Sequence, residues 1–445
     1  MTGSLHRPEL VRSIGRWTLA GLVLNAIIGS SVFGLPAVIA RTLGPASPWA
    51  WVFAAAGIGL IVACFAEVAS RFGGAGGPYL YARATFGRLT GIEIGWLAYL
   101  VRITASATNA NLFIIYLAQY WPASKDPVTT RLILAAMIAP LAALNFRGVA
   151  AGARASSVLI VAKLLPLGLF LLVGLAHLVS HGAVTPAAIA PAPLGSWLDA
   201  VMILGFAYGG FEAALVPLGE ARDPRRDAPF ALFMALATCA TVYTLTQVVV
   251  VGTLAEPGAY ERPLAAAGEV LMGPAGAVLM SIAALVSIYG YLAGTMVNVP
   301  RLTYAMAEEG DLPAGLGAIH PVFRTPWVSL LLYAGLVWLL AASGSFVQNL
   351  TLSAVSRLFT YGVICLALPA LRRRERMGDA TVGHPWFTLP GGWLIPAASL
   401  VFSVVLATRM TSREAWITCG VLAFGLLNWL WARGRGRVRV AEAAA

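Results

Sequence analysis

The chain has 445 residues, of which 59% are hydrophobic and 11% charged. Soluble domains carry about a quarter charged residues, so a water-soluble enzyme or binding module is excluded and a polytopic membrane protein indicated. The net charge of +11 sits mostly in short segments between apolar stretches, which marks topology and not a nucleic-acid partner.

Twelve apolar segments have the length a bilayer demands: 17–43, 48–70, 89–120, 128–146, 154–179, 196–220, 228–253, 275–306, 326–342, 349–370, 391–408 and 414–432. No cleavable leader is expected, because the N-terminus runs straight into the first segment. That segment is interrupted by Gly29-Ser30-Ser31-Val32-Phe33-Gly34, which predicts half-helices over 17–28 and 35–43. The third segment carries Arg102 about thirteen residues in, roughly 20 Å along a helix and near the midplane. The fifth carries Lys163, one of two lysines in the chain. A lysine at that depth costs about 2.5–3.5 kcal/mol on insertion scales and should face the protein interior. The sixth is interrupted by Ala207-Tyr208-Gly209-Gly210-Phe211-Glu212. The eighth carries Tyr289 and Tyr291, and the tenth carries Arg357 on its expected external half. Glu67, Glu93, Asp199 and Glu220 fall near segment ends, where hydration is expected to suffice.

The two breaks lie about 180 residues apart. Unwound backbone inside a bilayer survives only where protein or a solvated cavity satisfies its N–H and C=O groups. Paired interrupted helices in two halves mark a secondary transporter's substrate site. The expected architecture is therefore all-α, with twelve transmembrane helices in one transporter domain over 1–445. A five-plus-five inverted repeat (17–179 and 196–370) has broken helices 1 and 6, and two extra helices follow at 391–432.

Most of the 30 Lys and Arg fall in the N-terminal tail, the even-numbered loops and the C-terminal tail, among them Arg7, Arg12, Arg16, Arg71, Arg83, Arg88, Arg147, Arg154, Arg222, Arg372, Arg433 and Arg435. Arg41, Lys125, Arg131, Arg262, Arg409 and Arg413 occupy odd-numbered loops. The positive-inside rule then predicts an inner (plasma) membrane protein with both termini in the cytoplasm. Cys64, Cys239, Cys365 and Cys419 stand singly, so no metal site or disulfide framework is expected. H-E-x-x-H, G-x-S-x-G and G-x-x-x-x-G-K-[ST] are absent, which argues against an enzyme and against ATP-driven transport. A channel would need a continuous polar pore, whereas the polar residues here gather at one depth.

Five stretches resemble signatures of the amino acid–polyamine–organocation (APC) superfamily permeases, in order along nearly the whole chain. They are Gly29-Ser30-Ser31-Val32-Phe33 (with Ser31 in place of the usual second glycine), 72–81, Phe206-Ala207-Tyr208-Gly209-Gly210-Phe211-Glu212, 301–313 and 320–326. The resemblance implies the LeuT-type fold and a cell-membrane amino acid permease working by alternating access, Na⁺-independent, either a proton-coupled symporter or an antiporter. The alternative is a polyamine or organic-cation antiporter. No cofactor is implied; the partners are a small amino acid substrate, the bilayer and, for a symporter, H⁺.

A helix N-terminus attracts anions and a C-terminus cations, so a divided helix suits a zwitterion. The resemblance implies that the substrate carboxylate meets the amides of Gly29, Ser30, Ser31 and Val32. The ammonium meets carbonyls near Ile27 and those of Phe206, Ala207 and Gly209, under Phe206 as an aromatic lid. Packing of small residues is the competing reading of these glycines. Lys163 would take the place of a bound Na⁺ between the first and fifth helices; a proton-coupling role competes with that fixed-cation role. Glu212 is a gating carboxylate or a helix cap, with Tyr208 beside it in a gating or coupling role. Arg102 pairs with Glu212 or reads an anionic substrate group, the pair being preferred because a buried charge needs a partner. Arg357 is expected to be a gate or packing charge.

Overall fold

Among the described residues of the computed structural model (14–73, 76–147, 152–184, 192–215, 218, 221–379 and 381–444) the chain is helical, with one isolated bridge between Ile14 and Ala221. Arg7, Arg12, Gly74, Ala75 and Glu220 lie outside the described residues, as do the side chains of Arg154 and Arg435.

Sixteen α-helices follow one another among the described residues. The first apolar segment becomes α1 (Arg16–Ile27) and α2 (Ser31–Leu43), and the sixth becomes α8 (Leu194–Tyr208) and α9 (Phe211–Ala214). Both breaks are narrower than expected. The helix resumes at Ser31 and not at Leu35, because Ser31, Val32, Phe33 and Gly34 form the first turn of α2 around the Ser30 carbonyl, which accepts from the amides of Phe33 and Gly34 at 3.1 and 3.0 Å. The second break is confined to Gly209 and Gly210, and Tyr208 still ends α8.

The others are α3 (Ser47–Arg71), α4 (Gly77–Phe86), α5 (Arg88–Leu117), α6 (Pro127–Phe146), α7 (Gly152–His181), α10 (Pro224–Thr253), α11 (Pro263–Met272), α12 (Pro274–Glu308), α13 (Trp327–Ser343), α14 (Phe346–Arg376), α15 (Leu394–Ala407) and α16 (Ser412–Ala444). Nine helical stretches are long and apolar enough to cross a membrane among the described residues. The chain is thus an integral, multi-pass, all-α membrane protein. Helix α11 lies in a segment the hydropathy reading left as a loop, being only 10 residues long.

Local chemistry sets the boundaries. Proline opens α3, α4, α6, α10, α11 and α12, where its missing N–H has no intrahelical acceptor to lose. Asp126 caps α6 by accepting from the amides of Val128 and Thr129, both at 3.1 Å. Ser345 and Gln348 form a reciprocal capping box on α14. In α2, Pro36 removes the amide that would bond the Val32 carbonyl.

The buried core runs through α1, α2, α3, α5, α8, α10, α12 and α14. Helix α10 packs on both α3 and α1, and α5 packs on α12 and α14. Three cysteines are buried and Cys419 is exposed, all free.

Two acids expected to be hydrated at segment ends are buried or half-buried. Glu67 is fully buried: it accepts from Arg71 Nη2 at 3.0 Å, from Arg372 Nε at 2.8 Å, from Arg372 Nη2, and from the amide of Leu389 at 2.7 Å. Such a buried carboxylate persists only because every lone pair is met. Glu93 is half-buried against Gly425, and its Oε2 has no hydrogen-bond partner. Asp199 pairs with Arg409 at 2.7 and 3.0 Å on the surface, an exposed contact that contributes little.

Candidate substrate site at the two helix breaks

The breaks meet. Gly210 has φ +116°, and a Cβ there would lie 2.2 Å from the carbonyl oxygen of Ala26. Only glycine fits both the backbone angle and the close approach. Helix α9 is thereby pressed against the end of α1.

Between them lies a cavity lined by Ala26, Ile27, Gly29, Ser30, Ser31, Ala105, Asn109, Phe206, Gly209, Tyr291 and Arg357, about 10 Å³ measured to the centres of a water-sized sphere. That is room for about one water. Ser30 Oγ and Asn109 Oδ1 line it, are buried and have no partner. Buried polar atoms are nearly always paired, so these two oxygens can take a water or a polar group of a ligand. The amides of Ser30, Ser31 and Val32 open α2 and belong to its first turn, where the α-helix offers no i−4 acceptor.

Of the residues singled out from the sequence, Ile27, Gly29, Ser30, Ser31, Phe206 and Gly209 line this cavity; Val32 and Ala207 do not. Two of the four carbonyls proposed for an ammonium already accept hydrogen bonds. Ile27 accepts from the Tyr243 hydroxyl at 3.3 Å. Phe206 accepts from Arg357 Nη1 at 3.3 Å and from the Gly209 amide at 3.2 Å. Tyr208 stands away from the cavity as a strut: its hydroxyl donates to the Trp51 carbonyl at 3.0 Å, and its ring meets Trp51 and Tyr243 with centroids 6.0 and 5.6 Å apart. Tyr243 in turn receives the Ser31 hydroxyl at 3.4 Å, so this aromatic cluster braces the first break.

Lys163 is buried on α7. Its ammonium donates to Asn25 Oδ1 at 2.8 Å and to the Ile28 carbonyl at 3.0 Å. The contacts are neutral oxygens at the C-terminal end of α1, where a cation complements the helix dipole. Ser287 on α12 reaches the same break, donating to the Gly29 carbonyl at 3.4 Å.

Glu212 ties the site together. Its Oε1 accepts from Arg357 Nε at 3.0 Å and faces Arg102 Nη2 at 3.1 Å. Its Oε2 accepts from the Gly210 amide at 2.9 Å and the Tyr361 hydroxyl at 3.3 Å. One carboxylate therefore bridges α5 and α14 while holding the second break. Arg357 belongs to this cluster, and its guanidinium lies 6.0 Å from the Phe206 ring centroid.

Sequence reasoning missed Asn109, Ala105 and Tyr243. A signal existed for Asn109: Thr104, Ser106, Thr108, Asn109 and Asn111 crowd one segment of an otherwise apolar helix. Tyr291 lines the cavity, whereas Tyr289 is exposed on the outer face of α12.

Two further signature stretches meet below the site. Asp311, fully buried after α12, accepts from the Tyr79 hydroxyl at 2.7 Å, from Arg83 Nη1 and from Arg88 Nε at 2.6 Å. Burial first, and then Asp311, push the Tyr79 phenol above its ordinary range, so it stays a donor.

No group of His, Cys, Asp or Glu suited to a metal occurs among the described residues. The profile of the amino acid permease family matches residues 14–422. The chain is 27% identical to the methylthioribose transporter of Bacillus subtilis (strain 168) over 451 residues, covering 94% of each protein. It is 25% identical over 436 residues to the branched-chain amino acid permease BcaP of the same organism, covering 92% of this chain and 90% of that one. It is 29% identical over 409 residues to the amino acid permease YecA, also of that organism, covering 89% and 92%. With broken helices around a small polar cavity and a family match over nearly its whole length, the chain belongs to the amino acid permease family, membrane carriers and not enzymes.

Proposed function

We propose that this chain is an Na⁺-independent α-amino acid carrier that alternates access to a site at the crossing of α1, α2, α8 and α9. The carrying observation is the pair of orphaned oxygens, Ser30 Oγ and Asn109 Oδ1, on a cavity capped by the first turn of α2. The free amides of that turn suit a carboxylate, which is the feature every α-amino acid shares. The twelve-span, five-plus-five inverted arrangement with cytoplasmic termini belongs to the same reading, as does a single transporter domain whose repeats cover 17–179 and 196–370.

Lys163 supports sodium independence. Its ammonium joins α7 to the end of α1, and a second cation there would meet direct repulsion. Transport is then coupled to H⁺ or proceeds by exchange. Arg357 already donates to the Phe206 carbonyl, which disfavours a polyamine or organic-cation cargo. The relatives named for methylthioribose and for branched-chain amino acids differ in cargo, so likeness at this level leaves the substrate to the site itself.

The test is uptake of radiolabelled amino acids into proteoliposomes, with choline replacing sodium. Saturable uptake unaffected by that replacement is expected. Uptake that requires sodium, or ion conductance in place of saturable uptake, would sink the reading.

A further inference from the structure

We infer that the cargo carries net negative charge, with an acidic group beyond its α-carboxylate facing Arg357. This rests on the reading of the broken-helix cavity as the substrate site.

Three buried cations, Arg102, Lys163 and Arg357, surround the crossing, and a single carboxylate, Glu212, stands among them. Both arginines engage the same oxygen of Glu212. Lys163 rests on an amide oxygen and a carbonyl. The other buried acids among the described residues are committed elsewhere: Glu67 to Arg71 and Arg372, Asp311 to Arg83 and Arg88, Asp227 to the amide of Asp223 and Glu414 to that of Thr411. Glu212 offsets one of these charges, so among the described residues the crossing keeps a formal excess of positive charge, with Arg357 on the cavity wall. Uncompensated buried charge is costly, and a partner that neutralises it is strongly favoured.

The neutral oxygens tell the same way. The Phe206 and Ile27 carbonyls, which would greet a cation, already accept from Arg357 and Tyr243. Arg357 itself forms part of the cavity wall; with Nε on Glu212 and Nη1 on the Phe206 carbonyl, its Nη2 is left to donate to a carboxylate. An anion offsets the excess, a neutral zwitterion leaves it unchanged, and a cation adds to it.

The experiment uses the full chain in lipid nanodiscs and three probes: L-glutamate, its neutral isostere L-glutamine, and glutarate, which lacks the amine. Ligand-induced thermal stabilisation is titrated for each. Half-saturation by glutamate at a concentration at least tenfold below that of glutamine is expected. A smaller separation, or tighter binding of glutamine, overturns the inference while leaving the amino acid reading in place. Stabilisation by glutarate alone upholds the anionic cargo and rejects the amino acid. Stabilisation by none of the three overturns the inference. In Arg357→Gln the preference for glutamate over glutamine should collapse towards unity, and a preference kept intact would also overturn it. Should that variant misfold, the wild-type comparison of the two isosteres still decides.

Discussion

The ammonium of Lys163 donates across 3.0 Å to the carbonyl of Ile28, so a side chain of α7 fastens the residue at which α1 stops. The bond joins sites 135 positions apart, and nothing in the intervening sequence dictates it. It turns the end of a half-helix, which attracts cations, into one already served.

Lys163→Ala removes that service. The Ile28 carbonyl loses its charged donor deep in the protein, at a cost of about 1–3 kcal/mol. Uptake in proteoliposomes is expected to fall by more than about tenfold, the equivalent of some 1.4 kcal/mol. If uptake in the variant keeps its wild-type dependence on pH, Lys163 has no part in proton coupling.

Phe206 covers the cavity from α8 and is itself overlain by Arg357. Truncation to alanine removes a buried ring and a cation–π contact that is worth about 0.5–2 kcal/mol. Substrate dissociation should accelerate by on the order of tenfold, measured as loss of retained label after dilution. Unchanged retention would mean that the ring packs and does not close.

Gly210 and Gly205 lie five residues apart and should answer oppositely to alanine. At Gly205 a Cβ meets nothing within 4 Å, whereas at Gly210 it strikes the Ala26 carbonyl at 2.2 Å and the backbone is at φ +116°. Gly205→Ala is expected to be neutral or slightly stabilising, since alanine favours helix by roughly 1 kcal/mol over glycine. Gly210→Ala should destabilise by more than about 1–2 kcal/mol from the positive φ alone. Thermal unfolding in detergent compares the two, and equal melting temperatures would show that the breaks do not cross as described.

The helices were legible because bilayer-length apolar runs and glycine clusters are one-dimensional signals. Lys163, Arg102 and Glu212 were legible for a related reason: ionisable residues are so costly at that depth that each stands out. The extent of the breaks was not readable. Ser31 to Gly34 look like loop by composition, yet the Ser30 carbonyl gathers them into a helical turn. The Glu67 network was hidden too, because its partners Arg372 and Leu389 come from 305 and 322 positions away. Proximity to a span end says nothing about which loop folds over it. Asn109 and Arg357 became site residues only once α5 and α14 were seen side by side.

Asp311 draws together α4, the start of α5 and the loop after α12. Its carboxylate is fully buried while Arg83 and Arg88 are about a quarter to a third exposed, so screening weakens each pair. Asp311→Asn should loosen this clasp on the expected cytoplasmic side. Labelling rates of a cysteine introduced at that face are expected to rise several-fold, with cargo affinity little changed. Labelling that stays at the wild-type rate would show that the clasp does not restrain opening.

Glu212→Gln is the sharpest test of how the site balances charge. The amide keeps an oxygen that can still accept from the Gly210 N–H, so the second break can hold its shape. What disappears is, among the described residues, the only carboxylate paired with both Arg102 and Arg357. Removing one partner of a buried ion pair typically costs about 3–5 kcal/mol, because the charge left behind stays buried. The variant should therefore melt well below wild type. The loss should be partly reversed by an anionic cargo, and more so than in wild type, because the ligand then replaces the missing charge. The linkage is quantitative: stabilisation grows with the ratio of free ligand to dissociation constant. A variant as stable as wild type would mean that the two guanidiniums are neutralised by some other group. A variant that is destabilised yet gains no extra benefit from glutamate would place the positive excess out of reach of the cargo, leaving Glu212 as a structural bridge alone.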